Sequence, residues 1–381
     1  MKDLKVQEME ELEGFFGKNF HGQKNVTISA ENFRQVLENS RYKEVTPECL
    51  LESFCGKPLI GKQEQKALRE QKKQKILQVF QKDYQETPAG IHKEYLLEIV
   101  KDSENTTLEE WNQTLRFGAD IYNHLPYRFG KKMYLAVFSA AQTGNPHAFD
   151  QGTEGGTLLY QIIQMDLEIR SIKVKASEIF PAYKRQKSYL LSGVMLDDIS
   201  NYAMLYQVQA VKKDGGLHLG MKGFFKERQI VQVPLVVIAD WSELNVPQKE
   251  IYIVENPSVF AILCGKSDEE QKERAYMCMN GQPRLAGLMV LDLLAKAGTS
   301  IYYAGDLDPE GLLIAQKLAQ YYKGEFHYWH MDVADYEKSR SMETISQKRM
   351  KILDRITDER LLPVVKKMKV YGKAGYQEGL L

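Results

Sequence analysis

Ile301-Tyr-Tyr-Ala-Gly-Asp306-Leu-Asp308-Pro-Glu-Gly311-Leu-Leu-Ile-Ala315 reads as an apolar strand that stops at two carboxylates one residue apart and then turns into a helix. Asp308-Pro309 fits an N-cap followed by proline at the first helical position. Capping accounts for Asp308 and for the helix start, but not for Asp306. Two acids spaced i, i+2 at a strand end can both reach one divalent cation, an arrangement that suits phosphodiester chemistry better than packing. Gly311 stands in the first turn where alanine would be the better helix former, which points to a close approach there and to crowding near a ligand.

Outward from this stretch, the chain from 246 to 381 repeats one pattern. Ile251-Tyr-Ile-Val-Glu255 is a short β-rich run, and Pro257 opens a helix through Cys264. Ala275 to Met279 is a second run, ended by Asn280-Gly281-Gln282-Pro283 and followed by a helix from Leu285 to Ala297. Ser300 to Ala304 is the third run, with a helix from Pro309 to Tyr322, and Phe326 to Met331 is a fourth. Short apolar strands alternating with amphipathic helices predict βαβ units around a buried parallel sheet. Sites in such sheets gather outside the carboxyl ends of the strands.

Three acids meet that placement, since Glu255 ends the first strand and Asp306 and Asp308 follow the third. Carboxylates converging there repel one another and raise at least one pKa unless a cation sits between them. Hard oxygen ligands with open positions suit Mg²⁺ or Mn²⁺. A strand followed by a DxD pair also opens haloacid-dehalogenase-type phosphatases. Those place the pair early in their domain and need a later Lys and acid pair, so the order here differs.

The rest of the chain is less specific. Its 381 residues exceed what one core usually serves, which predicts two or three domains. Residues 1–85 read as a polar, helical region with a basic run from Lys62 to Lys82, either a solvated helix face or a helix lying along a DNA backbone. Residues 86–245 read as helices, among them Tyr95–Val100, Trp111–Tyr122 and Met133–Gln142, followed by alternating runs at Tyr202–Val211 and Gln229–Ile238 with a strand candidate near His218. Helices before a small antiparallel sheet suit a winged-helix-like module. His147 and Asp150 follow the breaker Thr143-Gly144-Asn145-Pro146, where a lone histidine is more often a structural hydrogen-bonder than a catalyst.

Fifty-one basic residues balance fifty-one acidic ones, so a nucleic-acid partner must be met by local patches. The four cysteines form no CxxC pair, which argues against a zinc site and suits a reducing cytoplasm. An N-terminus without an apolar leader and no stretch long enough to span a bilayer predict a soluble, intracellular protein. A GxxxxGK[ST] motif does not occur, so any ATP dependence belongs to a partner.

The order Glu, strand, helix, DxDxxG resembles the Toprim domain shared by topoisomerases, primases and several nucleases. Val254-Glu-Asn-Pro-Ser258, Asn280-Gly-Gln-Pro283, Gly305-Asp-Leu-Asp-Pro309, Gly375-Tyr-Gln-Glu378 and Thr143-Gly-Asn-Pro-His147-Ala-Phe-Asp150 together resemble the JetD family, nuclease subunits of Wadjet plasmid-defence systems. The resemblance covers roughly residues 120–381 and implies an α/β Toprim domain, a parallel sheet flanked by helices, behind a helical arm and a winged-helix (CAP-like) module. It implies a Mg²⁺- or Mn²⁺-dependent DNA endonuclease with Asp306 and Asp308 as ligands and Glu255 as ligand or base. The implied partners are closed circular plasmid DNA, an SMC ATPase with its kleisin and accessory subunits, and a second copy of the chain.

The related topoisomerase VI A subunit attacks DNA with a tyrosine from an Arg-Asp-x-Tyr-Tyr-type motif. That motif is missing, and Tyr189 in Arg185-Gln-Lys-Ser-Tyr189 lacks the acid. A tyrosine transesterase and a non-catalytic DNA-binding subunit are the alternatives to hydrolysis.

Overall fold

The structure, a computed structural model, describes residues 6–21, 23, 25–56, 61–100, 107–174, 179–196 and 200–380. They fall in two units, Met1–Asp83 and Tyr84–Leu381. Among the described residues no helix is long and apolar enough to cross a membrane.

The first unit is helical, with Val6–Phe16, Ala30–Glu38 and Pro47–Cys55 ahead of Lys62–Tyr84. Ser29 and Thr46 start the second and third helices by accepting the Asn32 and Cys49 amides, which satisfies donors that the helix itself leaves open. Phe16, Phe20 and Val26 form a small core with Leu12, Ile28, Phe33 and Val36 around it. Along Lys62–Tyr84, Ile76, Leu77 and Phe80 are buried, whereas Leu68, Val79 and the basic Lys66, Arg69, Lys75 and Lys82 are exposed.

The second unit opens with helices that include Leu108–Asn123, Leu135–Thr143, Glu154–Ile169 and Pro181–Leu191. Asp166 is fully buried among them, ion-paired with Arg128 at 2.9 Å and Arg170 at 3.1 Å and accepting the Tyr127 hydroxyl at 2.6 Å. The stretch from Met133, expected as one helix, begins instead as a strand, Met133–Tyr134, parallel to Val194–Met195. From the helix that follows, Leu135–Thr143, the Ser139 hydroxyl holds the next loop by donating to the Asn145 carbonyl and accepting the Phe149 amide. His147 Nδ1 and Asp150 Oδ2 pair at 2.9 Å on the exposed side of that loop.

Six strands build the main sheet: β1 Tyr202–Tyr206, β2 Val231–Pro234, β3 Glu250–Val254, β4 Ala275–Cys278, β5 Ser300–Ala304 and β6 Phe326–Tyr328. Their order is β6-β5-β3-β4-β1-β2. The four strands from β3 to β6 are parallel, as the alternating pattern predicts, while β1 runs antiparallel to both β4 and β2. The sheet is therefore mixed. The β1–β2 pair is antiparallel, as its alternation suggests, and extends the main sheet through β4, while the second half of the same run, Gln209–Lys212, pairs antiparallel with Trp241–Asn245 in a separate two-stranded sheet. His218, read as part of a strand, is the N-cap of helix Leu219–Lys226 and accepts the Met221 amide.

Side-chain alternation divides the two faces. Ala203, Leu205, Ile251, Ile253, Ala275, Met277, Ile301 and Tyr303 point into the larger core, which helices α2 (Leu285–Lys296) and α3 (Pro309–Tyr321) cover. Tyr206, Val254, Tyr276, Cys278 and Ala304 point into a second core under helix α1 (Pro257–Glu269). The β3–α1–β4 connection moves one way along the sheet, and β4–α2–β5 moves back across β3 to its other side. The chain thus reverses direction between β3 and β5, where a crevice opens at the strand ends.

Candidate functional site

Glu255, Asp306 and Asp308 meet at that crevice. β3 and β5 are neighbours, paired from Glu250↔Ser300 to Val254↔Ala304, so Glu255 emerges beside Gly305 and Asp306. In sequence a whole strand and two helices lie between them, and only the crossover brings them together. Gly305 suits this closeness, since an added Cβ would lie 3.2 Å from Glu255 Oε2 and 3.1 Å from the Tyr303 hydroxyl. Both of those atoms are buried and without a hydrogen-bond partner among the described residues. Gly311 is required for a different reason, because a Cβ there would come within 2.2 Å of the Asp306 carbonyl oxygen. The close approach expected at Gly311 is thus to the site's own backbone.

The carboxylates disturb one another. Burial raises Glu255 to about 7, helped by the charges on Asp306 and Asp308 and opposed by the Asp306 backbone N–H. Burial also raises Asp306, with the Asp308 and Glu378 charges adding to it and the Gln377 N–H opposing it. Asp308 is raised by burial and by Glu310, against the Gly311 N–H and the Arg349 guanidinium.

Each acid is held differently. Asp306 Oδ1 accepts the Gln377 amide at 3.1 Å. Asp308 Oδ1 accepts the Gly311 amide at 2.7 Å, as the predicted N-cap of α3, and its Oδ2 contacts Arg349 Nη2. Glu255 Oε2 has no such partner. Among the described residues no three His, Cys, Asp or Glu side chains stand in a ready-made metal cage. The donor set still fits a hard divalent cation in its chemistry, because Asp306 and Asp308 lie near enough for their charges to act on Glu255 and one buried carboxylate oxygen is left unsatisfied among the described residues. Glu255 and Asp306 present oxygens for such an ion, and Asp308 shares its second oxygen with Arg349.

Residues near the C-terminus tie the two acidic loops together. Leu307 and Gly375 exchange both backbone hydrogen bonds, at 2.9 and 2.8 Å. Gln377 Oε1 accepts the Asn256 amide at 3.2 Å, and Glu378 Oε1 accepts from Asn256 Nδ2 at 2.6 Å. Asn256 Oδ1 meanwhile caps α1 through the Ser258 amide at 2.7 Å. Sequence reasoning noticed Gly375 to Glu378 only through a family likeness. It missed Arg349 and Tyr303 as parts of the site, for which no local pattern gives a signal.

Tyr189, the nearest imitation of a topoisomerase nucleophile, is buried and stacks on Tyr160 with ring centroids 5.9 Å apart.

Residues 231–381 match the family model described as "Protein of unknown function C-terminus (DUF2399)", a span that holds all three acids. Residues 1–210 match the one described as "Protein of unknown function N-terminus (DUF3323)". No curated protein matches the chain. The two matched spans share the main sheet, because β1 lies in the N-terminal span and pairs with β4 in the C-terminal one. With more than half its length covered by the N-terminal match, the chain belongs to the family defined by the DUF3323 N-terminal region, and it carries the DUF2399 region at its C-terminus.

Proposed function

We propose that this chain is a Mg²⁺- or Mn²⁺-dependent DNA endonuclease with a Toprim-type site, acting as the JetD-like nuclease subunit of a Wadjet-type SMC system. The observation that carries the reading is the convergence of Glu255, Asp306 and Asp308 at the ends of β3 and β5, with Glu255 Oε2 buried and unsatisfied. Its family regions, DUF3323 and DUF2399, are those associated with JetD-type proteins, which supports the subtype.

Bound there, a divalent cation supplies charge neutralisation at phosphorus and a water of lowered pKa. Asp306, oriented by the Gln377 amide, and Asp308, oriented by the Gly311 amide, hold that ion. Glu255 holds it or takes the proton of the attacking water. Water is favoured as nucleophile over tyrosine because the Arg-Asp-x-Tyr-Tyr-type motif is missing and its nearest imitation, Tyr189, is buried.

Duplex DNA is held through its phosphates by basic side chains without base readout. A second copy of the chain supplies the cut in the other strand, and an SMC ATPase with kleisin and accessory subunits delivers closed circular plasmid. The setting is the cytoplasm. Plasmid cleavage by the chain with these partners, in Mg²⁺, Mn²⁺ or EDTA, tests the proposal. Cutting is expected only with metal and with ends free of protein. Cleavage that survives EDTA, or ends covalently attached to the chain, contradicts it.

A further inference from the structure

Both oxygens of Asp308 are engaged. The Gly311 amide takes Oδ1 and fixes the side chain as an N-cap, while Arg349 Nη2 takes Oδ2. Arg349 stands on the short helix Gln347–Met350, capped by Ser346. Its Nε lies 3.0 and 2.9 Å from the two Glu310 oxygens, its Nη2 2.8 Å from Glu310 Oε2, and its Nη1 3.4 Å from Glu343. The guanidinium is thus anchored on Glu310 whether or not it touches Asp308. The orientation of Asp308 is likewise fixed by its cap without Arg349. What Arg349 adds at Asp308 is positive charge on the oxygen that a cation would need.

We propose that Arg349 competes with the divalent cation for Asp308 and so latches the site in its metal-free form. This rests on the reading of Glu255, Asp306 and Asp308 as a metal centre. A guanidinium and a dication on one carboxylate oxygen repel, so metal loading requires Arg349 to loosen from Asp308. A phosphate oxygen of an incoming DNA backbone is a matching anion for the Nη2 N–H that Asp308 gives up, while Glu310 keeps the rest of the fork. The Arg349 side chain is 29 % exposed, enough for that exchange to occur without unfolding. Arg349 is a positioning residue in this scheme, acting on the metal through Asp308.

The test is Mn²⁺ titration of the full chain without DNA, by calorimetry, for wild type, Arg349→Gln, Arg349→Lys and Asp306→Asn. Wild type is expected to bind and Asp306→Asn to lose binding. Arg349→Gln is expected to bind on the order of tenfold tighter, the scale of one unit charge a few ångströms away in a solvated site. Arg349→Lys keeps a charge on Glu310 but lacks the fork that spans both carboxylates. It is expected between the two, and it keeps the test decisive if Arg349→Gln does not fold. Binding by the folded Arg349 variants that equals or falls below wild type, with Asp306→Asn still defective, overturns the latch and leaves the metal centre standing. Binding that Asp306→Asn leaves unchanged overturns the metal centre itself.

Discussion

Replacing Glu255 by glutamine should stabilise the metal-free protein at alkaline pH while abolishing cleavage. Burial and the nearby Asp306 charge raise this carboxyl from 4.5 to about 7. The folded protein therefore holds the Glu255 proton more tightly than the unfolded chain does. The resulting stabilisation is complete below the unfolded value and is lost as pH rises through about 7. At about 1.4 kcal/mol per unit the full loss is about 3 kcal/mol, reduced to about 2 kcal/mol by the residual solvent contact of the side chain. Glutamine carries no charge to desolvate, so Glu255→Gln should exceed wild type by about 2 kcal/mol near pH 8 and show no such advantage near pH 5. Urea denaturation in EDTA, followed by tryptophan fluorescence, measures this. Trp111, Trp241 and Trp329 all lie in the Tyr84–Leu381 unit, so the signal reports on the unit that holds the site. Parallel pH profiles for the two proteins, or a less stable Glu255→Gln at pH 8, would refute the reasoning.

Gln377→Ala removes the acceptor of the Asn256 amide while leaving the backbone bond to Asp306 in place; a loss of about 1–2 kcal/mol is expected in the same denaturation assay, with weakened Mn²⁺ binding. Gly305→Ala places a methyl against Glu255 Oε2 and the Tyr303 hydroxyl, so cleavage should fall steeply while stability drops by only about 1–2 kcal/mol; activity and melting temperature measured together separate the two effects. Asp166→Ala leaves Arg128 and Arg170 facing each other without their buried counter-ion. It should destabilise the Tyr84–Leu381 unit by about 3–5 kcal/mol, read from the same tryptophan signal.

The strand–helix alternation after residue 246 was legible because each run ends at a strong local signal. Asn256-Pro257 and Asp308-Pro309 open helices as caps with proline behind them, and Asn280-Gly281-Gln282-Pro283 breaks the chain between β4 and α2. The three acids were legible as strand-end residues for the same reason. What no local pattern contains is the order of strands, so the adjacency of β3 and β5 became visible only in the fold.

β1 and β2 show the same limit. Their alternation predicted an antiparallel pair, but the use of the outer edge of β1 by β4 depends on contacts 70 residues or so along the chain, such as Met204↔Cys278. At His218 and Met133 the error was local. A histidine cap looks like a strand residue, and a two-residue strand is too short to interrupt a helical pattern. Arg349 and Gln377 reach Asp308 and Asp306 from distant segments; Gln377 sits in a stretch noticed only through the family likeness, and nothing in the neighbourhood of Arg349 marks it.

The central claim is that Glu255, Asp306 and Asp308 form one catalytic metal centre for DNA cleavage. The most direct measurement is plasmid linearisation by Glu255→Ala and Asp306→Ala, each assembled with the partner complex and Mg²⁺ beside wild type. The account predicts that both folded variants bind DNA and partners and leave the plasmid uncut. Wild-type rates of linearisation by either variant would contradict it.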